Sequence, residues 1–171
     1  MLRFAEGEEL DTLFAEIDDF LASAIRPREP TRALTTIMLA QGTIQPSDLA
    51  HIHTDGGVVR SHVADRVLAT FDAPGRAIRC ALALRDIAST RGVGLGTGIH
   101  TGEVDLVGDQ ITGPSLSIAG GVSSHAEDGE ILVSRTVKDL VVGSGITFAD
   151  RGSHRLTATG ERWALFRVCA R

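Results

Sequence analysis

Three places in this chain carry side chains suited to chemistry. The first is His51-Ile52-His53-Thr54-Asp55, followed by Gly56-Gly57. Alternating imidazoles with a nearby carboxylate are donor types that can share a transition-metal ion. The competing reading is a surface turn before the glycine pair, since the preceding Pro-Ser-Asp-Leu-Ala is a poor buried strand. The second is Asp65, within the tight break Ala64-Asp65-Arg66 between two apolar runs, Val58–Val63 and Val67–Phe71. At a hairpin tip its carboxylate can face a ligand while neighbouring backbone is paired; its plainer use is to bond nearby N–H groups. The third is His100. No paired nucleophile stands near it in sequence, so it reads as a structural hydrogen-bonding residue.

The elements that must position these residues follow from periodicity. Val58–Arg91 reads strand, turn, strand, helix. Asp72 can cap the helix, and Pro74 suits its first turn, where a missing N–H costs nothing. Ala77, Ile78, Ala81, Leu82, Leu84, Ile87 and Ala88 then recur at three- and four-residue spacing and give one buried face. Upstream, Leu34–Ala40 is a β-branched apolar run, a buried strand. Pro46–His51 offers at most one stunted helix, with Ser47 as its cap. Downstream, Val93–Ile99 alternates, with Gly94, Gly96 and Gly98 on a face that lets another element approach closely. These glycines match neither GxGxxG nor GxxxxGK[ST]. Val104–Val107 continues the sheet after an expected turn at Thr101-Gly102. Ser117–Ala126 is a helix that Gly120 and Gly121 weaken by about 1 kcal/mol each. Ile131–Ser134 is a strand and Arg135–Val142 a short helix. Phe148–Leu156 and Trp163–Val168 form a terminal hairpin around Thr159-Gly160.

At the N-terminus, Glu8–Ile25 predicts an amphipathic helix with Leu10, Leu13, Phe14, Ile17, Phe20, Leu21 and Ile25 as its stripe. That stripe can dock on the domain or on a second copy of the chain. Arg26-Pro27-Arg28-Glu29-Pro30 breaks the helix. The division is therefore residues 1–30, helix and linker, and 31–171, one domain.

Composition narrows the function classes. A net charge of −5, 4% aromatics and no Tyr argue against a nucleic-acid partner, which needs basic and stacking surface. No apolar run approaches a membrane span, and the acidic N-terminus does not suit a secretory signal, so a cytoplasmic protein is expected. Cys80 and Cys169 are the two cysteines, too few and too far apart for a disulfide framework or a CxxC metal site.

Several blocks carry a family resemblance. VLATFDAPGRAIRCALALRDI, GIHTGEVDLVGD, GEILVSRTVKDLVVGSGITFADRG and WALFRV, in that order, resemble the class III nucleotide cyclases, the adenylate and guanylate cyclase catalytic domains, especially the actinobacterial ones. The resemblance covers most of the chain from Arg32 onward. It implies an α+β fold, a central, largely antiparallel sheet with a ferredoxin-like βαββαβ core and helices on one face, and a dimer with the nucleotide at the subunit interface. A second, shorter resemblance is that of HIHTD to most of the HxHxDH signature of metallo-β-lactamase-type hydrolases, whose last histidine is replaced here by Gly56.

The cyclase resemblance also assigns positions. Two aspartates of that family hold two metal ions; the second falls on Asp65 and is kept, while the first falls on Gln41. The base-reading lysine falls on Ser61 and its aspartate partner on Gln110, beside Asp109. The ribose residue falls on Ser117, the charge-stabilising arginine on Gly121 and the phosphate lysine on Thr157. Only 23 residues, 42–64, separate Gln41 from Asp65, where two helices and a connection need roughly 25 to 30. The expectation is a degenerate cyclase homology domain: a catalytically inactive regulatory or dimerisation module. It would form a homodimer or pair with another cyclase-type domain. No cofactor is expected, and Mg or Mn only with residual nucleotide binding at Asp65. The alternatives are an active adenylate cyclase with unorthodox residues and a metal-dependent hydrolase using His51, His53 and Asp55.

Overall fold

The computed structural model describes residues 12, 14–19, 21–22 and 29–169. From residue 31 the order is β1 (Thr31–Gln41), a 3-10 turn (Pro46–Asp48) running into α1 (Leu49–Thr54), β2 (Val58–Val63), β3 (Arg66–Phe71) and α2 (Pro74–Thr90). Then follow β4 (Gly96–Val107), β5 (Gln110–Thr112), α3 (Pro114–Ser124), β6 (Ile131–Ser134), α4 (Arg135–Leu140), β7 (Thr147–Arg155) and β8 (Arg162–Cys169). The strands form one sheet in the order β2-β3-β1-β4-β6-β8-β7, with β5 paired to β4. The run β1-α1-β2-β3-α2-β4 with spatial order β2-β3-β1-β4 is the ferredoxin-like βαββαβ core. The β4–β6 pair is parallel, so the sheet is mixed.

Side-chain alternation on β1 builds two faces. Met38 and Ala40 join Val67, Ala69, Phe71 and Ile99 beneath Ala77, Ile78, Ala81 and Leu84 of α2, with Ile52 of α1 in the same core. Ile37 and the half-buried Leu39 point the other way, with Val104 and Ile111, toward Ala119 of α3. Helices thus cover both faces, where the sequence reading put them on one. The period-2 pattern of β1 requires this: apolar residues on both sides of a strand need two covers.

Three local expectations are corrected. β4 runs unbroken through Thr101 and Gly102, which pair with Thr36 and Thr35 of β1. Gly102 serves packing instead of a turn, since a Cβ there would stand 3.0 Å from the Ser115 Cβ and nearer still to its hydroxyl. Asp72 does not cap α2; it pairs with Arg76 at 3.6 Å. The helical turn after β1 is closed by Gln45 and Asp48, the Gln45 N–H donating to Asp48 Oδ2 at 2.8 Å, and not by Ser47. Of the N-terminal helix, residues 12, 14–19 and 21–22 are helical, while Leu10, Leu13, Phe20 and Ile25 lie outside the described residues.

Two ion pairs fasten loops to the core. Arg91, at the end of α2, grips the buried Asp48 with two bonds of 2.9 and 2.7 Å and holds that carboxyl below its ordinary range. Burial works to raise Glu130, but Arg151 at 2.6 Å and the Glu127 N–H outweigh it and bring the carboxyl down.

His100 is the buried titratable group of β4. It is 4% exposed, its Nδ1 lies 2.7 Å from the Ser134 hydroxyl, and its ring meets Trp163 edge-on. Burial pulls its pKa from 6.5 down to about 4. A native histidine that resists protonation contributes stability in full above pH 6.5. That contribution is lost as pH falls from 6.5 to about 4, by on the order of 3 kcal/mol at the limit. Asp48 and Glu130, whose carboxyls are held below their ordinary values of 3.8 and 4.5, begin to lose their contribution only near those values, so the fall between pH 7 and 5.5 reads the histidine. Urea unfolding at pH 7, 5.5 and 4.5 should therefore show a steep loss in the native protein and a shallower one in His100→Gln. Equal acid sensitivity of the two would refute the assignment.

Candidate functional site

The end of β1 carries the position that the sequence assigns to a metal carboxylate. Gln41 is the last residue of β1 and pairs with Arg66 on one side and Gly96 on the other. All three share the sheet face that α3 covers. The Gln41 amide is committed: its Nε2 donates to the main-chain oxygen of Ser123 on α3 at 3.2 Å. Around it lies a small cleft of about 100 Å³, lined by Leu39, Ala40, Gln41, Arg66, Gly120, Ser123 and Ser124.

That lining contains a guanidinium and no carboxylate. Asp65 stands beside it in the turn, exposed; its main-chain oxygen accepts from the Gly42 N–H at 2.8 Å, and its neighbour Ala64 takes a left-handed φ of 53° to close the turn. Divalent hard cations need several oxygen ligands, commonly carboxylates. The cleft does not fit the two metal ions that the resemblance implies.

On α3, the position that the resemblance assigns to the arginine packs tightly against another element. Gly121 faces Leu156: a Cβ at residue 121 would stand 3.1 Å from the Leu156 Cβ and Cδ1 and 3.2 Å from its Cδ2. Leu156 is fully buried with Ile118, Val122, Leu132 and Leu165, so it cannot swing out without opening that core. Ser117 lies four residues earlier and is exposed. Thr157 follows Leu156 directly and is exposed in the β7–β8 turn.

Ser61 and Gln110 do meet. They line one open groove of about 220 Å³ between β2–β3 and β5, with Arg60, Leu68, Asp109, Ile111 and Thr112. Arg60 is turned aside, its Nε donating to the Thr70 hydroxyl at 3.0 Å. The groove also presents the Ser61 and Thr112 hydroxyls, the Gln110 amide and the Asp109 carboxylate.

His51, His53 and Asp55 are not gathered. His51 and His53 sit on α1, where residues i and i+2 point to different sides of the helix. Among the described residues no three of His, Cys, Asp and Glu cluster in a way that could hold a metal. Asp55 instead lies near Cys80, whose thiol burial, followed by that carboxylate, pushes up to about 12; this cysteine is inert.

Sequence reasoning missed Arg66, Ser123 and Leu156, the residues that fill the site. Arg66 was accessible, because pairing Gln41 with the first residue after the hairpin turn puts both on one face. Ser123 and Leu156 gave no local signal, since they act through contacts made across the fold.

No protein-family model matches this chain. It is 27% identical over 171 residues, 98% of its length, to an uncharacterized protein of Mycobacterium tuberculosis, of which it covers 55%. A Rhizobium meliloti protein named "Putative adenylate cyclase 3" is 26% identical over 130 residues, 71% of this chain and 22% of that one. The chain thus spans about half the length, or less, of the curated relatives it matches. Among solved structures, the adenylyl cyclase CyaB from P. aeruginosa superposes with a TM-score of 0.74 at 17% identity, over 84% of this chain and 97% of that one. The adenylate/guanylate cyclase/hydrolase from Silicibacter pomeroyi gives 0.71 at 20% identity, over 82% and 98%. The chain thus has the fold of the class III adenylate and guanylate cyclase domains it superposes on.

Proposed function

We propose that this domain is catalytically inactive and works as a dimerisation or regulatory module. The observation that carries the reading is the cleft at the end of β1, where Arg66 lines the wall and no carboxylate does. A guanidinium on that wall disfavours a divalent cation by like-charge repulsion, and the Gln41 amide stands where the resemblance implies a charged ligand. Leu156 against Gly121 supports the same reading, because no cationic side chain stabilises phosphoryl charge from that position. Losing one transition-state donor typically costs about 3 kcal/mol, or 10²- to 10³-fold. Such losses are not additive, but metal and arginine together leave no measurable rate.

A second reading, an adenylate cyclase with unorthodox residues, is favoured by the groove between Ser61 and Gln110 and by the name of the Rhizobium relative. One assay separates the two. Purified protein with ATP and Mg²⁺ or Mn²⁺ should form no cyclic AMP above a blank, and Gln41→Asp alone should not restore any. Cyclic AMP formation abolished by Asp65→Ala would establish the second reading. Calorimetry should find Mg-ATP binding weaker than micromolar, since Ser61 and Thr157 offer no cation to the triphosphate.

Dimerisation rests on the N-terminal segment. Phe14, Ile17 and Leu21 are 61, 43 and 47% exposed in the single chain, which supports cover from outside the domain. Cover from a second copy or from another cyclase-type domain removes that area from water. Light scattering should give a dimer for residues 1–171 and a monomer for residues 31–171. A full-length protein that stays monomeric at high concentration would contradict the assignment.

A further inference from the structure

Two histidines that play no part in the site above stand together across the fold. His125 ends α3, and His154 lies on β7; their ring centroids are 4.8 Å apart with the planes tilted by 54°. Each ring is oriented by a main-chain carbonyl. His125 Nδ1 is 2.8 Å from the Gly121 oxygen, and His154 Nε2 is 2.7 Å from the Arg151 oxygen. A carbonyl oxygen only accepts, so both of those nitrogens carry the proton. The tautomers follow: His125 Nε2 and His154 Nδ1 are left with free lone pairs.

From this geometry we infer that His125 and His154 form a two-histidine site for a divalent transition-metal ion such as Zn²⁺. Metal-binding histidines characteristically donate their other ring N–H to a carbonyl or carboxylate, which fixes tautomer and orientation. Both rings meet that condition from separate elements. With Zn–N bonds of about 2.0–2.1 Å, two imidazoles on one ion bring their ring centroids to about 5 Å. The observed separation matches that spacing.

The supports are built into the fold. Gly121 supplies the carbonyl for His125 from the last turn of α3, where carbonyls lack helical partners. The β7–β8 ladder shifts register between Asp150 and Ser153, and Gly152 takes φ of +83°; this bulge turns the Arg151 oxygen toward His154. Among the described residues no third His, Cys, Asp or Glu completes a cluster, so a bound ion would take water in its other positions. Imidazole selects Zn²⁺, Ni²⁺ or Cu²⁺ over Mg²⁺. A bound ion would tie the end of α3 to β7, beside the Gly121–Leu156 contact.

Titration of the full chain with zinc chloride, followed by calorimetry, tests the site. One saturable equivalent should bind, with His125→Ala and His154→Ala each weakening it at least about tenfold. The His51→Ala/His53→Ala double variant should bind as the native protein does. Imidazole nitrogen shifts of the native protein give an answer that does not depend on the variants folding. His125 Nε2 and His154 Nδ1 should move on adding Zn²⁺. Absence of saturable binding, retention of full affinity in both single variants, or shifts confined to other histidines would overturn the proposal.

Discussion

The contact between β4 and α3 sets the rest of this structure. A Cβ on Gly98 would stand 2.5 Å from the Ser123 Cα and closer to its nitrogen, and one on Gly96 would stand 2.9 Å from the Ala126 oxygen. The helix therefore lies on bare backbone, at a distance no larger residue permits. That depth brings the Ser123 carbonyl within reach of the Gln41 amide and Gly121 against Leu156. It also sets His125 beside His154. Each feature that closes the expected catalytic position depends on how low α3 sits on the sheet.

The electrostatics agree with the packing. A catalytic site for triphosphate and two metals needs carboxylates and fixed cations in water-excluded positions. Here the buried charges are spent elsewhere, on Asp48–Arg91 and Glu130–Arg151, which lock loops to the core. The cleft beside Gln41 keeps one guanidinium, and the groove at Ser61 is lined by one cation and one carboxylate, Arg60 and Asp109. The cleft and the groove thus carry few charges between them, while the sheet and its two helical layers are intact.

Much of the fold was legible in the chain. The hairpin Val58–Val63 and Arg66–Phe71 and the terminal pair β7–β8 follow from alternation bounded by turn residues, which are local signals. The glycines of β4 announced a close neighbour, but Gly102 was read as a turn because a glycine looks the same in either use. HIHTD was read as a turn or a metal motif and is a helix; its helical turn is closed by Asp48, which Arg91 grips from 43 residues away. At the site, the resemblance pointed to Gln41, Ser61 and Gly121 as neutral residues where that family carries charge. The cause of the closure was not, because Leu156 and Ser123 act through space.

The central claim is that Leu156 packs so closely on residue 121 that an arginine placed there conflicts with the core. A stability cycle over Gly121→Arg and Leu156→Ala measures this directly by urea unfolding. Gly121→Arg should destabilise the native protein by roughly 1–3 kcal/mol through overpacking. The same change should cost clearly less in Leu156→Ala, giving a coupling of at least about 0.5 kcal/mol. Strict additivity, with Gly121→Arg costing as much in both backgrounds or nothing in either, would contradict it.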